Sequence, residues 1–276
     1  MKIIEVFPAY NEIEFLKIRS DLKLIDNLEY DFIVSILDCT HTGSNINFDI
    51  KNNFEDLFGN HFLHFLHQSK KEVEEEFNNN KEIYNEFGFS KNWMYEIGQR
   101  LVFYAQLEKK FDQEGYPDIL ILSDADELLS ENDLINIQKV PNNIFRLAMS
   151  WYICDPIFKY HQKWPGAFVL KGSDAIKIFL KSKDSPMRYH RTRTLDFCKL
   201  NGGMHLTYFG EPYEFRQKCK RIAESSAKRV KLASVFGPTL LKLGIDPFLR
   251  SDLKISRCSP PKQISFLCKN SWRRLI

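Results

Sequence analysis

Four consecutive aliphatic residues that stop at a group of acids constrain this chain more than any other feature. The run Ile119-Leu120-Ile121-Leu122 is typical of a strand buried on both faces, and Ser123-Asp124-Ala125-Asp126-Glu127 follows it directly. Open α/β sheets bind their ligands outside the carboxyl ends of their strands. The sequence therefore predicts an α/β domain with three carboxylates at a ligand-binding edge.

A helix start follows these acids. Ser130 and Asp133 match the capping box, in which the first residue caps the helix and the second bonds back to it, and Leu134 and Ile137 then supply an apolar face. The acids are thus predicted to lie in a short strand-to-helix connection, which is a common location for a site.

Asp124 and Asp126 lie one residue apart and can hold a divalent cation through hard oxygen ligands. Such a cation can neutralise a phosphate leaving group. An Asp-x-Asp motif is short, so the alternative interpretation is a loop of solvated acids.

Alternating strands and helices predict a parallel sheet with right-handed crossovers in the first half of the chain. The predicted strands cover residues 3–7, 32–37, 62–66, 119–122, 145–154, 167–170 and 204–209, and the predicted long helices cover residues 93–111 and 211–229. Pro8 is expected to end the first strand, and residues 70–80 are expected to form an exposed connection.

Composition excludes several classes. A net charge of +3 does not mark a dedicated nucleic-acid binder, and six irregularly spaced cysteines indicate reduced thiols. Basic residues dominate after Arg216, either as a solvated helix face or as a surface for an anionic partner. We expect no signal peptide and no membrane span, hence a soluble, intracellular protein.

Several short motifs, taken in order, resemble the family-17 glycosyltransferases, whose best-known members add the bisecting N-acetylglucosamine to N-glycans. They are residues 7–19 (FPAYNEIEFLKIR), 38–43 (DCTHTG), 98–100 (GQR), 123–127 (SDADE), 164–166 (WPG) and 202–210 (GGMHLTYFG). Met204 stands where the family usually has Trp, which points to a diverged substrate preference.

The resemblance implies a GT-A-type nucleotide-sugar transferase fold, a Rossmann-like, mostly parallel sheet flanked by helices. We assign residues 1–236 to this domain and residues 237–276 to a basic C-terminal extension of unknown role. The implied reaction is metal-dependent, inverting transfer of a sugar, with N-acetylglucosamine as one candidate, from a UDP-linked donor to a glycan or glycolipid acceptor.

Candidate site residues follow from these motifs. His205 is the candidate third metal ligand beside Asp124 and Asp126, with Mn²⁺ or Mg²⁺ as the ion, and Arg100 is the candidate phosphate contact. For each of these two residues the alternative is structural: a core histidine and a surface arginine. The remaining candidates are Pro8, Tyr10, Asn11 and Glu12 for the donor, and Trp151, Trp164 and Gly166 for the acceptor.

An inverting transfer needs a general base near the acceptor hydroxyl. The candidates are Glu127, Asp155, Glu211 and Glu214, and we favour Glu211 because it follows the strand that carries His205. Glu127 is interpreted instead as a support for the metal or a donor hydroxyl, or as a charge at the next helix N-terminus.

Two other functions stay open. A metal-dependent phosphoesterase would take further ligands from Asp38, His41 and Asp155, in addition to His205. An inactive carbohydrate-binding relative would keep the fold without turnover.

The missing signal anchor differs from the Golgi members of the family and favours a cytoplasmic bacterial or viral protein. The ending Trp272-Arg273-Arg274 suits a peripheral membrane contact, with a disordered tail as the alternative. The oligomeric state is left open.

Overall fold

A computed structural model describes residues 1–9, 15, 19, 29–45, 63–86, 93–182, 198–221 and 227–269. Tyr10, Asn11 and Glu12 lie outside these residues, as does the C-terminal segment from 270 onward. Within this part of the chain, no helix has both the length and the apolar character needed to cross a membrane.

The first half of the sheet is parallel throughout, as predicted. Its strands are β1 (Lys2–Ala9), β2 (Glu29–Leu37), β3 (Leu63–Gln68) and β4 (Ile119–Leu122), in the order β3-β2-β1-β4. Strand β1 continues through Pro8 rather than ending there. Because β4 ends at Leu122 opposite Val6, β1 has a single neighbour at Pro8, and a missing N–H is tolerated there.

The second half of the sheet mixes parallel and antiparallel pairs. Its strands are β5 (Glu127–Leu128), β6 (Ile144–Ile153), β7 (Asp155–Lys171), β8 (Cys198–Thr207) and β9 (Ile255–Arg257). Strand β7 pairs antiparallel with β4, β6 and β9, whereas β6 and β8 run parallel. Cys154, with φ of 63°, is the single residue between β6 and β7, and so short a connection makes these two strands an antiparallel hairpin.

The helices flank this sheet and confirm the α/β class. They are α1 (Lys70–Asn79), α2 (Lys81–Glu86), α3 (Met94–Glu114), α4 (Glu131–Lys139), α5 (Ser173–Lys181), α6 (Pro212–Arg221) and α7 (Lys228–Lys242), with a 3₁₀ helix at Lys262–Leu267. Helices α3 and α5 pack their apolar residues on one face of the sheet, and α4 packs on the other. The result is a three-layer arrangement with a core on each face of the sheet.

Residues 70–79 form helix α1, so the exposed connection expected for residues 70–80 is wrong. Ser69 caps the helix and Glu72 bonds back to it, while Val73 and Phe77 are buried. The many charged residues of this segment concealed an apolar face of only two side chains. Gly98 of α3 lets the two helices approach closely, because a Cβ at that position would lie 2.6 Å from Cγ1 of Val73.

The helix predicted over 211–229 is divided. Helix α6 covers Pro212–Arg221, residues 222–226 lie outside the described part of the chain, and Ala227 is extended before α7 begins at Lys228 and continues through the buried Gly237 and Pro238. Residue 237, where the sequence suggests that an extension begins, therefore lies inside a helix. The chain after it also packs on the domain, since β9 pairs with β7 and the 3₁₀ helix contributes to a core cluster with β8.

Candidate active site

A buried arginine shapes the turn after β4 that carries Asp124, Asp126 and Glu127, which we call the acid turn. The Arg19 guanidinium is 1% exposed and donates hydrogen bonds to the carbonyl oxygens of Ala125, Asp124 and Glu127 at 2.5, 2.9 and 2.7 Å. Carbonyls that point inward at one cation cannot move independently. Arg19 therefore fixes the backbone from which the carboxylates of Asp124 and Asp126 project.

Glu5 of β1 forms a buried ion pair with Arg19. Its buried carboxylate lies 3.3 Å from Nη2 of Arg19. It also accepts hydrogen bonds from Ser123 Oγ, at 2.6 Å, and from the Tyr30 hydroxyl. Burial and the nearby Glu5 charge raise the pKa of Tyr30 well above its ordinary value, so the phenol stays a donor. A buried charge pair with this many hydrogen bonds is rigid, and removing either partner is costly.

Glu127 is fully buried, and both of its carboxylate oxygens accept hydrogen bonds. Oε1 accepts from Trp164 Nε1 at 2.7 Å, and Oε2 accepts from the backbone N–H of Asp124 at 3.2 Å. A carboxylate in this position braces the turn against β7. Its lack of exposure does not suit proton exchange with a substrate.

Asp126 and His205 are brought together by strand pairing. Glu127 of β5 pairs with His205 of β8, which places the preceding residue, Asp126, beside the imidazole. The Nδ1 atom of His205 lies 3.5 Å from Oδ1 of Asp126, and Lys218 Nζ of α6 lies 3.7 Å from Oδ2. Asp126 is 14% exposed, so the carboxylate lies between a buried ring and an accessible ammonium group.

Two tryptophans lie behind His205. The Trp164 ring stacks on the imidazole, with centroids 4.3 Å apart and planes 9° apart. Trp151 is 7% exposed and packs against Tyr160 and Trp164, with centroid distances of 4.1 and 5.0 Å. Trp164 thus lies in the site, whereas burial leaves Trp151 little ring face for a sugar.

Arg100 of α3 reaches the first acid of the turn. Its Nη2 atom lies 2.7 Å from Oδ1 of Asp124. The Arg100 side chain is 15% exposed and the Asp124 side chain is 24% exposed. Burial opposes the charge of Arg100, but the attractions of Asp124, Tyr104 and Glu96 together outweigh it, and the pKa of Arg100 lies above its ordinary value. A guanidinium with fixed charge therefore stands at the edge of the sheet where the acids end.

The residues predicted to bind a metal fit a divalent cation in part. Asp126 supplies an oxygen donor, and His205 supplies a buried Nδ1 that has no hydrogen-bond partner among the residues described. Asp124 faces Arg100 instead, and over the described ranges no three His, Cys, Asp or Glu side chains are spaced to hold a metal ion. The fit rests on Asp126 and His205.

Other predicted site residues are placed as follows. Pro8 lies near the end of β1, opposite Ser35 of β2. Gly166 lies in β7 where a Cβ would come within 2.1 Å of Met149 Sδ, so close packing accounts for this glycine. Glu211 stands just before α6, and its backbone N–H donates to Glu214 Oε2 at 2.6 Å.

Asp38 and Asp155, two of the residues named for a phosphoesterase, are engaged elsewhere. Asp38 Oδ1 accepts from the backbone N–H of Lys70 at 2.7 Å, and the buried Asp155 accepts from the N–H groups of Ile157 and Lys269 at 3.0 and 2.7 Å. Both carboxylates thus cap backbone rather than join the acid turn.

Two residues of the site were not assigned from the sequence. Arg19 stands inside the family-like opening motif, but nothing in its spacing indicated contacts to a turn more than a hundred residues later. Lys218 belongs to the basic run after Arg216, for which an anionic partner was one interpretation. Its position next to Asp126 singles it out from that run.

No protein-family model matches this chain, and no curated protein sequence matches it. The family-17 relationship therefore stays a resemblance of motifs. Among solved structures, the crystal structure of mouse xyloside xylosyltransferase 1 in its apo form aligns with 66% of this chain and 72% of its own, at 10% identity and a TM-score of 0.35. A similarity this low carries no argument about activity.

Proposed function

We propose that this chain is a GT-A-type glycosyltransferase that moves a hexose or N-acetylhexosamine from a UDP-linked donor to a hydroxyl of a glycan or glycolipid, with inversion. The observation that carries the proposal is the 3.5 Å approach of Asp126 Oδ1 to the buried Nδ1 of His205, which has no hydrogen-bond partner among the described residues, just beyond the carboxyl end of β4. The ordered motifs that resemble family 17 support it.

The charges around the acid turn suit a diphosphate leaving group. Arg100 and Lys218 stand at the two aspartates, and their positive charges offset the negative charge that develops as the sugar departs. Mn²⁺ or Mg²⁺, if bound by Asp126 and His205, would supply Lewis-acid stabilisation of the leaving group. The fork of Arg100 donors is able to engage a carboxylate and a phosphate together.

In the proposed reaction, the acceptor oxygen bonds to the anomeric carbon as the bond to the diphosphate oxygen breaks. Glu211 takes the proton of the acceptor hydroxyl, and Trp164 offers an aromatic face beside the reacting sugar. Glu127 acts as a positioning residue, because its two oxygens are engaged by Trp164 and by the backbone of the turn.

Thermal melting with UDP-, GDP-, CMP- and dTDP-sugars, each with and without Mn²⁺, tests the proposal. A ligand that binds only the folded protein stabilises it by about 3 kcal/mol when present at a hundred times its Kd, and the melting temperature rises as a result. We expect a shift with the UDP-sugars that needs the metal and is lost in Asp126→Ala. The matched control is Asp174→Ala, an exposed acid in the first turn of α5.

Release of UDP from the donor that shifts the melting temperature completes the test. Loss of release in Asp126→Ala, with an unchanged melting temperature of the unliganded protein, supports transfer chemistry at the acid turn. If Mn²⁺ stabilises the protein and no nucleotide sugar adds to the shift, a glycosyltransferase is excluded in favour of a phosphoesterase.

A further inference from the structure

Helix α7 carries an exposed apolar stripe that its packing in the domain does not require. Leu232, Val235 and Phe236 are 37%, 57% and 55% exposed, and Leu243, directly after the helix, is 70% exposed. These residues recur at spacings of three, one and seven, which places them along one side of a helix. The stripe is therefore a contiguous surface rather than scattered apolar residues, which would need no explanation.

The opposite side of α7 already supplies the contacts that fix the helix. Val230, Ala233 and Leu241 are buried in a core cluster with Phe215 of α6. A Cβ at Gly237 would come within 2.5 Å of the Phe215 ring, so α6 and α7 pack closely. The stripe thus projects from a rigidly anchored helix.

The charged side chains of helix α7 are all basic. Helix α7 contains Lys228, Arg229, Lys231 and Lys242 and no acidic residue. Lys228, Arg229 and Lys231 are exposed. An exposed apolar stripe with basic residues beside it is the arrangement by which an interfacial helix binds an anionic bilayer.

We propose that the α7 stripe, formed by Leu232, Val235, Phe236 and Leu243, docks this protein on an anionic lipid surface. The apolar side chains enter the boundary between headgroups and acyl chains, and the lysine and arginine side chains lie among the anionic headgroups. A second copy of this chain fits less well, since a two-fold contact through the stripe would bring together two α7 helices whose charged side chains are all basic.

The location of the stripe connects it with the acid turn. Helix α6, whose Phe215 shares a core cluster with α7 and with strands β6 and β7, also carries Lys218 beside Asp126. A membrane-docked α7 would hold the acid turn close to the bilayer. The inference itself does not depend on the proposed function, because vesicle binding is measured without any donor or turnover.

Cosedimentation of the full chain with vesicles tests the inference, using phosphatidylcholine alone and phosphatidylcholine mixed with phosphatidylglycerol. We expect binding to the anionic vesicles only, weakening as salt rises. The variant Lys228→Gln/Arg229→Gln/Lys231→Gln is expected to bind roughly a hundredfold more weakly, at about fivefold per charge. The variant Val235→Gln/Phe236→Gln is expected to bind at least about tenfold more weakly.

A matched control removes similar side chains from another helix. Lys177→Gln/Ile178→Gln changes an exposed basic residue and an apolar residue that is 69% exposed on α5. We expect it to bind vesicles as the wild type does. All variants change exposed side chains, and their melting temperatures verify that each one is folded.

Four outcomes would overturn the inference. Three concern vesicles: absence of binding to anionic vesicles, equal binding to neutral ones, or unchanged binding in both α7 variants. The fourth is a dimer in the absence of lipid that dissociates in Val235→Gln/Phe236→Gln. That result would assign the stripe to self-association.

Discussion

The Nδ1 atom of His205 lies 3.5 Å from Oδ1 of Asp126, on strands that pair antiparallel through Glu127 and His205. The same nitrogen has no hydrogen-bond partner in the part of the chain that the structure describes. A buried polar atom without a partner is costly, so a site that keeps one has a use for it. Here the use we propose is cation binding.

The stacked ring of Trp164 reports on this pair directly. Because its centroid lies 4.3 Å from that of His205, Mn²⁺ bound at Nδ1 is expected to change the tryptophan fluorescence. We expect a saturable change in the wild type and at least about tenfold weaker Mn²⁺ binding in His205→Gln. The titration needs no donor sugar.

Two further variants make that titration decisive. Trp164→Phe should lose the Trp164 part of the fluorescence change, and its Mn²⁺ affinity measured by calorimetry should fall less than that of His205→Gln, since the ring is a reporter and not a ligand. His41→Gln is the control, because His41 lies beside Glu96 and Gln99 rather than at the acid turn. Equal Mn²⁺ affinity in the wild type and His205→Gln would exclude His205 as a ligand.

Replacing Arg19 by methionine is expected to lower the free energy of unfolding by about 3–5 kcal/mol, since the buried Glu5 carboxylate would lose its cationic partner. Urea denaturation measures the change. In a Glu5→Gln background, where no charge is left uncompensated, Arg19→Met should cost less. A cost below about 1 kcal/mol in the wild-type background would contradict the role assigned to Arg19.

Trp164→Phe keeps an aromatic ring against His205 and removes the N–H that binds Glu127 Oε1 at 2.7 Å. Hydrogen bonds to charged groups contribute about 1.5–3 kcal/mol, so we expect a destabilisation of that order. A double-mutant cycle with Glu127→Gln isolates the coupling of the pair. A coupling energy of zero would show that the hydrogen bond adds nothing to the stability of the turn.

A second buried charge pair lies in the C-terminal part of the domain. Asp246 is 1% exposed and accepts hydrogen bonds from Tyr160, at 2.5 Å, and from Arg250 Nε and NH2, at 2.9 and 2.8 Å. Burial alone would raise the pKa of Asp246, but the hydrogen bonds from Arg250 and Tyr160 outweigh it and lower that pKa below its ordinary value.

This lowered pKa predicts how stability depends on pH. A carboxyl whose pKa is lower in the folded state stabilises the protein above its unfolded pKa of about 3.9, and the contribution is lost as pH falls through the folded pKa. We expect Asp246→Asn to cost about 3 kcal/mol at neutral pH. The difference in Tm from the wild type should shrink below about pH 4.

The exposed Asp252→Asn is the control for this experiment and should melt like the wild type at every pH. A constant difference between Asp246→Asn and the wild type across the acid range would mean that the Asp246 charge does not stabilise the fold.

Local patterns determined several elements without help from the rest of the chain. The aliphatic run 119–122 forms strand β4, and Ser130 and Asp133 form the predicted capping box, with the Ser130 N–H donating to Asp133 Oδ2 at 2.7 Å. The apolar periodicity of 93–111 forms helix α3. In each case the residues that determine the element are neighbours in sequence, so the local pattern is enough to predict the element.

Elements that depend on weaker local signals were missed. Helix α1 has an apolar face of two buried residues, and the extended Ala227 before α7 has no proline or glycine beside it in the sequence. The antiparallel pairing of β7 with β6 follows from the one-residue connection at Cys154, which composition does not reveal.

The sequence by itself determined the α/β class and the position of the acids at a strand end, and it named Asp124, Asp126 and His205 as candidate ligands. Only the tertiary structure decided how these groups are held and charged. Arg19 contacts the acid turn from the chain after β1, and Lys218 contacts Asp126 from α6. Arg100 forms an ion pair with Asp124, which was expected to bind the cation instead. Contacts between residues so distant in sequence depend on the packing of whole elements, and packing leaves no periodic pattern in the chain.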